Sequence, residues 1–401
     1  MHNPKVPVGI VIALGMTQII GYGSLYYSFS ILAPAVAKDI DLTVAQVFAV
    51  FSASLFVGGL AAPYIGRQMD RIGAATVMTI GSALSALTLV LCAWSPSVAA
   101  FALAIVLLEI SSGMVQYQAA FATLVEADPR SASRSITYLT LIAGFASTIF
   151  WPISTALMGY LSWREIYLVY AVLNLAVCMP LHLWIMRKDR LAATGGSRPV
   201  REHVIGAIPR ERRRNTVLLL SVAFALLGFT LGAMLAHMVP MLTALGLGSA
   251  AVVIGALFGP AQVLSRLINM IFGTRLAPPA LALMSAMLMV LSVIILALSG
   301  DWLPGAVAFS ICLGLGSGIN SIAQGSLPLY LFGSDGYGAL TGKMAAARLA
   351  AGAAAPFAFA ATMETFGLGA SLIVSAALGS IGIGAFVAVA VSAKRSVVRA
   401  P

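Results

Sequence analysis

The amino-acid sequence predicts an all-α polytopic membrane protein whose twelve transmembrane helices form two six-helix bundles. Its composition is the first indication, because 60% of the 401 residues are hydrophobic and 9% are charged, whereas soluble domains contain about 25% charged residues. The second is that charged and turn-forming residues divide the chain into about twelve apolar runs, each close to the roughly 20 residues that cross a bilayer. The third is a central basic segment with six runs on each side.

The apolar runs are continuous rather than alternating, which excludes a transmembrane β-barrel. The first run is longer than the roughly 7–15-residue apolar core of a signal peptide, so we expect it to be retained as the first helix. The runs lie at 8–37, 44–65, 75–94, 98–124, 136–160, 165–186, 216–245, 250–272, 278–299, 303–331, 339–363 and 369–392.

The distribution of Lys and Arg predicts the orientation in the membrane. If both termini are cytoplasmic, 19 of the 23 basic residues fall in cytoplasmic segments, and only Lys38 and Arg164 fall on the opposite side. This asymmetry follows the positive-inside rule. It also accounts for the net charge of +10 without a nucleic-acid partner.

Residues 187–215 form the only long polar segment and contain nine Lys or Arg residues. We interpret this segment as a solvated, basic cytoplasmic linker, the alternative being a regulatory binding segment. The predicted domains are therefore an N-terminal bundle at 1–186, the linker at 187–215 and a C-terminal bundle at 216–401.

The sequence contains no Walker loop, nucleophile triad or metal-ligand spacing. We therefore predict neither an enzyme nor an ATP-driven pump, and we assign no catalytic residue, metal or cofactor. Cys92, Cys178 and Cys312 lie far apart inside apolar runs, which excludes a disulfide-stabilised secreted domain. A receptor is the alternative class, but it would need a soluble sensing domain. We expect a monomeric secondary transporter in contact with membrane lipid, with a small solute and protons as its partners.

A short motif follows the second run on the basic side of the membrane. Residues 66–73 read GRQMDRIG, with glycines that permit a tight reversal and an aspartate that can accept from helix N-terminal amides or pair with a basic residue. This G-x-x-x-D-R-x-G pattern resembles the signature loop of the major facilitator superfamily, although alanines replace the basic residues that usually follow it. The resemblance implies the two-bundle fold and a gating role for Gly66, Asp70, Arg71 and Gly73.

Glu109 lies about 17 Å along the helix from the nearer end of the fourth run, too far to reach the interface. Ionisable residues at this depth usually mark function, and burial disfavours the charged form of a carboxyl group. We predict that Glu109 carries the coupled proton, the alternative being a permanently protonated packing residue. Helical spacing places Gln116 and Tyr117 on the same face, at i+7 and i+8.

Other polar side chains inside the runs are candidates for substrate binding. Gln18, Tyr22 and Tyr26 repeat every four residues on the first run, where they either line a cavity or bind a neighbouring helix. Gln262 and Arg266 form a polar stripe on the eighth run. The predicted substrate-binding residues are Gln18, Tyr22, Tyr26, Gln116, Tyr117, His237, Gln262, Arg266, Asn320 and Gln324.

Two further resemblances bear on the substrate. Residues 21–34 and 137–152 resemble a bacterial branch of the superfamily that exports trivalent arsenicals, which implies proton-coupled arsenite efflux, by antiport, across the bacterial inner membrane. Arg266 on the eighth helix resembles the carboxylate-binding arginine of monocarboxylate transporters, although Gln262 stands where those proteins have an acid. A proton-linked monocarboxylate transporter and a multidrug exporter are therefore the alternatives.

Overall fold

The computed structural model describes residues 6–194, 203–248, 250–273 and 276–398. Within them, eleven helices are long and apolar enough to cross a membrane. The last has 58 residues, but Gly367, with φ of 85°, divides it into an eleventh span at 337–366 and a twelfth at 368–394. The predicted all-α fold of twelve spans is confirmed. The eleven helices are Val8–Asp39, Val44–Ile72, Ala74–Ala93, Val98–Ala127, Ala132–Leu157, Trp163–Lys188, Arg210–Leu247, Ala251–Phe272, Pro278–Ser299, Leu303–Phe332 and Tyr337–Lys394.

Local sequence sets where the helices begin and end. The second span begins with a capping box, in which the Gln46 backbone N–H donates to Thr43 Oγ1 and the Thr43 backbone N–H donates to Gln46 Oε1. Ser162 and Glu165 form the same arrangement at the start of the sixth span. The second span ends at Gly73, whose φ of 92° suits only glycine well.

Several spans are not continuous α-helices. A π-helical turn inserts an extra residue and recurs at functional sites, and a full break exposes backbone groups inside the membrane. The π-helical turns are Gly23–Tyr27 and Asn174–Cys178, and the end of the seventh span is kinked at Gly246, whose φ is 87°. The α-helix is also interrupted between Gly113 and Tyr117, Ala143 and Ala146, and Ala256 and Phe258.

The chain forms two compact units. Unit 1 comprises Met1–Val204 together with Ser334–Ala346, and unit 2 comprises Ile205–Gly333 together with Ala347–Pro401. The beginning of the eleventh span therefore packs with the first six spans. The division predicted from the sequence, with a single linker at 187–215, assigns Ser334–Ala346 to the C-terminal bundle and not to unit 1.

Both edges of the predicted linker have defined structure: one continues a helix, and the other binds a neighbouring helix. The helix of the sixth span continues to Thr194, and residues 195–202 lie outside the described part of the chain. Ile208 is buried, and its backbone N–H donates to the Leu331 carbonyl at the end of the tenth span, at 2.9 Å. The chain entering the seventh span is thus held against the tenth.

One of the two basic residues on the less basic side has a structural role. The Arg164 guanidinium donates to Asp39 Oδ2 and, through Nη1, to the carbonyls of Ala93 and Ser95 at 2.7 and 3.0 Å. It also stacks over the Trp163 ring. One side chain therefore joins the ends of the first, third and sixth spans within unit 1.

We expect Arg164→Ala to lower the unfolding temperature of the purified protein without altering which solutes it carries. An exposed ion pair alone contributes about 0–1 kcal/mol, but this variant also removes the donors to two carbonyls. Arg164→Lys should not restore the loss, because an ammonium cannot bridge these acceptors as a guanidinium does. An unchanged melting curve for Arg164→Ala would contradict a structural role.

Candidate functional site

Asp70 of the glycine-rich motif caps a helix that is distant in sequence. Its Oδ1 accepts from the Gly338 backbone N–H and its Oδ2 from the Ala339 N–H, both at 2.8 Å. Gly338 and Ala339 lie in the first turn of the eleventh span, where backbone N–H groups lack intrahelical partners and a negative charge is favourable. Of the two roles that the sequence allowed for Asp70, the structure has the helix-capping one.

Glycines allow the second span and the start of the eleventh to approach closely. A Cβ added to Gly66 would lie 2.2 Å from the Gly338 carbonyl oxygen, and one added to Gly342 would lie 2.6 Å from the Ala62 oxygen. Gly338 and Gly342 are spaced as in a small-xxx-small helix contact. The first glycine of the motif therefore makes room for the helix that Asp70 caps.

The remaining motif residues shape the turn itself. Gly73 has the positive φ that ends the second span, and the Glu126 carboxylate accepts from the next backbone N–H, that of Ala74, at 3.0 and 3.1 Å. Arg71 is exposed in the last turn of the second span, where a cation complements the helix dipole. Two helix N-termini next to the motif are thus capped by carboxylates: that of the eleventh span by Asp70 and that of the third span by Glu126.

The tyrosines of the first span cluster differently from the sequence prediction. A π-helical turn, Gly23–Tyr27, brings residues five apart onto one face, so that the Tyr22 and Tyr27 ring centroids lie 6.2 Å apart. The Tyr22 ring is 4.8 Å from that of Tyr117 on the fourth span, and the Tyr27 ring is 5.9 Å from that of Trp151 on the fifth. Tyr26 is 39% exposed and contacts Tyr27. We call Tyr22, Tyr26, Tyr27, Tyr117 and Trp151 the tyrosine face.

The fourth span is broken where the sequence suggested one continuous helix. Its first half ends at Gly113 and its second half begins at Tyr117, and Gln116 has extended backbone angles. The α-helical spacing that placed Gln116 and Tyr117 on the face of Glu109 therefore does not apply across this break. Tyr117 instead meets Tyr22 at the tyrosine face.

Gln18 of the first span binds the backbone of this break. Its Nε2 donates to the Val115 carbonyl at 2.7 Å, and the side chain is 1% exposed. Gln18 Oε1 and Ser112 Oγ are buried and have no hydrogen-bond partner among the described residues. Of the two roles that the sequence left open for Gln18, contact with a neighbouring helix is present, and one polar atom remains for another partner.

Glu109 is enclosed within unit 1. A Cβ added to Gly58 of the second span would lie 3.3 Å from Glu109 Cβ, and Cys92 and Tyr167 are near enough to interact electrostatically with its carboxyl group. Glu109 Oε1 and the Tyr167 hydroxyl are both buried without a hydrogen-bond partner in the described part of the chain. The Glu109 side chain, 7% exposed, is thus buried against the second span within unit 1.

In unit 2, the polar stripe of the eighth span faces the tenth. Gln262 Nε2 donates to Ser317 Oγ at 3.0 Å and Arg266 Nε donates to Ser321 Oγ at 3.2 Å. Arg266 is only 3% exposed. The equal four-residue spacing on both helices aligns the two pairs, and Gly318, where an added Cβ would meet Gln262 O at 2.3 Å, allows the close contact.

The other candidates of unit 2 have different neighbours. His237 Nε2 lies 2.9 Å from the Pro356 carbonyl, and its ring stacks on Phe359 at 5.1 Å. Asn320 is 2% exposed, and its Oδ1 lacks a hydrogen-bond partner among the residues that the structure describes. Gln324, one turn later, is half-buried.

Several residues that complete these arrangements are not among the predicted ones. Gly338 and Gly342 follow a small-xxx-small pattern, which indicates a helix-contact face but not which helix lies against it. Ser317 and Ser321 have the same spacing as Gln262 and Arg266. Tyr27 is not among the predicted residues, because α-helical spacing gives no sign of a π-helical turn.

Comparison with known proteins identifies similar sequences. The family model of the Major Facilitator Superfamily matches residues 14–356. Multidrug resistance protein MdtL of Escherichia coli O157:H7 is 29% identical over 177 residues, which is 42% of this chain. The matched region spans 43% of MdtL, so the similarity covers less than half of either protein.

Three solved structures share the fold at low sequence identity. The human organic anion transporter MFSD10 (TETRAN) superimposes with a TM-score of 0.72 at 15% identity, covering 96% of this chain and 100% of that one. The proton:xylose symporter XylE gives 0.70 at 12% identity, with 94% of each chain covered. FucP gives 0.67 at 14% identity, covering 94% of this chain and 98% of FucP.

Proposed function

Because this chain belongs to the major facilitator superfamily, and is therefore a multi-pass secondary transporter rather than an enzyme, we propose that it exports small aromatic organic solutes in exchange for protons. The proposed location is the bacterial inner membrane, with both termini in the cytoplasm. The solute binds at the tyrosine face of unit 1, and Glu109 carries the proton.

The observation that carries this proposal is the tyrosine face. Aromatic rings attract flat organic molecules and cations through stacking and through their negative faces. Tyr26 and Trp151 are 39% and 47% exposed on unit 1, so the cluster presents ring surface instead of burying all of it. The similarity to a protein named for multidrug resistance supports the same choice.

Arsenite efflux is the second candidate, and the broken fourth span favours it. Arsenous acid is neutral and carries hydroxyl groups, which could bind the buried Gln18 Oε1 and Ser112 Oγ. Capture by several thiolates is the other mode, but Cys92 and Cys178 are free, buried and on different spans of unit 1. A monocarboxylate substrate would depend on Arg266, which is buried and bonded to Ser321.

Transport into inside-out vesicles with an acidic interior tests these candidates together. We expect the imposed pH gradient to drive uptake of ethidium, a planar aromatic cation, and of benzamide, a neutral aromatic amide. Labelled arsenite and lactate should enter no faster than in vesicles without the protein. Gradient-driven uptake of arsenite or lactate, with neither aromatic compound transported, would replace the proposal with the corresponding alternative.

A further inference from the structure

The break in the fourth span interrupts a long apolar run. Val98–Gly113 and Tyr117–Ala127 are separate helices, and the connecting turn is held by bonds from the Val115 and Gln116 N–H groups to the Ser112 carbonyl, both at 3.0 Å. The third span is shaped to receive this turn, because a Cβ added to Gly81 would lie 2.6 Å from Met114 Cβ. The break is therefore built into the packing of unit 1.

The polar groups at this break are incompletely satisfied. Gln18 donates to the Val115 carbonyl, which fixes its amide group at the break, yet its Oε1 has no partner in the described chain. Ser112 is 1% exposed, and its Oγ also lacks a hydrogen-bond partner in the described chain. Buried polar atoms without partners are disfavoured. Gln116 Nε2, a donor at the same break, also lacks a partner in the described chain, and Gln18 Oε1 is therefore available to a donor on a bound solute.

The second half-helix, in contrast to Gln18 Oε1, favours a hydrogen-bond acceptor at its N-terminal end. It has eleven residues and begins with no side-chain cap, and the N-terminal end of a helix carries partial positive charge that attracts an acceptor oxygen. A single group that can both donate and accept a hydrogen bond matches this pair of preferences. Hydroxyl and amide groups meet that requirement, whereas a carboxylate cannot donate and a quaternary ammonium can do neither.

We propose that the break holds the hydroxyl or amide group of an aromatic solute whose ring lies against Tyr22 and Tyr117. Tyr117 is the first residue of the second half-helix, and its ring lies 4.8 Å from that of Tyr22, so the polar break and the tyrosine face adjoin. This inference rests on the proposed function and narrows it to aromatic solutes that carry a donor-acceptor head group.

Equilibrium dialysis of the purified full-length protein tests the inference with two probes of the same shape. Benzamide and acetophenone differ only in an NH₂ group that can donate and a methyl group that cannot. We expect the wild-type protein to bind labelled benzamide about tenfold more tightly than acetophenone, measured by competition, a ratio that corresponds to one donated hydrogen bond. Gln18→Met should bring the ratio close to one.

Two further variants provide an independent test and a control. Ser112→Ala removes the second unsatisfied oxygen with almost no change in volume, and it should lower the ratio even if Gln18→Met fails to fold. Asn174→Leu is the matched control, because Asn174 is a buried amide of unit 1 that already donates to Ser24 Oγ and the Tyr170 carbonyl. Its ratio should stay that of the wild type.

The outcomes separate this inference from the proposed function. Equal binding of benzamide and acetophenone by the wild-type protein would overturn the donor-acceptor site while leaving aromatic transport intact. So would a preference for benzamide that survives both Gln18→Met and Ser112→Ala. Binding of neither probe by a protein that transports arsenite or lactate would overturn the aromatic substrate class as well.

Discussion

Glu109→Gln is expected to abolish accumulation of solute against its gradient while leaving solute exchange intact. The substitution keeps the shape of the side chain, which is buried against Gly58 of the second span, but an amide cannot bind and release a proton. Inside-out vesicles loaded with ethidium would show counterflow at the wild-type rate. The same vesicles would show no additional uptake when a pH gradient is imposed.

Glu165→Gln provides the control for this experiment. Glu165 is also an acid of unit 1, but it lies at the start of the sixth span, where it completes the capping box with Ser162. We expect that variant to respond to the gradient as the wild type does. A full response by Glu109→Gln would make Glu109 a packing residue, and His237 would be the next residue to test as the proton carrier.

Gly66→Ala is expected to slow transport by about tenfold or more. The added methyl group would lie 2.2 Å from the Gly338 carbonyl oxygen, so the second span and the start of the eleventh must separate, and overpacking of this kind costs typically about 1–3 kcal/mol. The capping bonds from Gly338 and Ala339 to Asp70 would be weakened with it. Initial rates of ethidium uptake measure the effect.

Gly9→Ala is the matched control, because Gly9 is also a helical glycine of unit 1 and an added Cβ there would meet Trp184 Cη2 at an ordinary contact distance of 3.6 Å. Asp70→Ala, which removes the capping bonds without adding volume, should slow transport as Gly66→Ala does while folded protein still reaches the membrane. Wild-type rates in both Gly66→Ala and Asp70→Ala would reduce the motif to an ordinary turn.

Helical spacing predicts which side chains share a face only where the helix is regular. It correctly placed Gln262 and Arg266 together, because the eighth span is regular α-helix from Phe258 to Phe272 and both side chains bind the same neighbouring helix. It failed for Gln116 and Tyr117, because a break precedes them. The spacing argument requires an uninterrupted helix, and two serines and a glycine before the break were the available warning.

The partner of Asp70 illustrates a second limit. The sequence indicated that the carboxylate could cap a helix, since exposed backbone N–H groups attract negative charge. Which helix it caps depends on packing between segments 268 residues apart. The small-xxx-small spacing of Gly338 and Gly342 is common in membrane helices, so it could not have identified this pair without the structure.

The number of spans follows from the order of amino acids alone, because every backbone group inside a bilayer must be satisfied internally and a long apolar run can do that only as a helix. The same is true of the location of the motif and of the position of Glu109 along the fourth span, which depend on position along the chain. Three features depend instead on how the helices pack: the fourth span is broken, Tyr27 lies with Tyr22, and Asp70 caps the eleventh span. These features depend on how closely neighbouring helices approach. Glycines such as Gly66 and Gly81 permit that approach, because they leave room for residues that are far away in the chain.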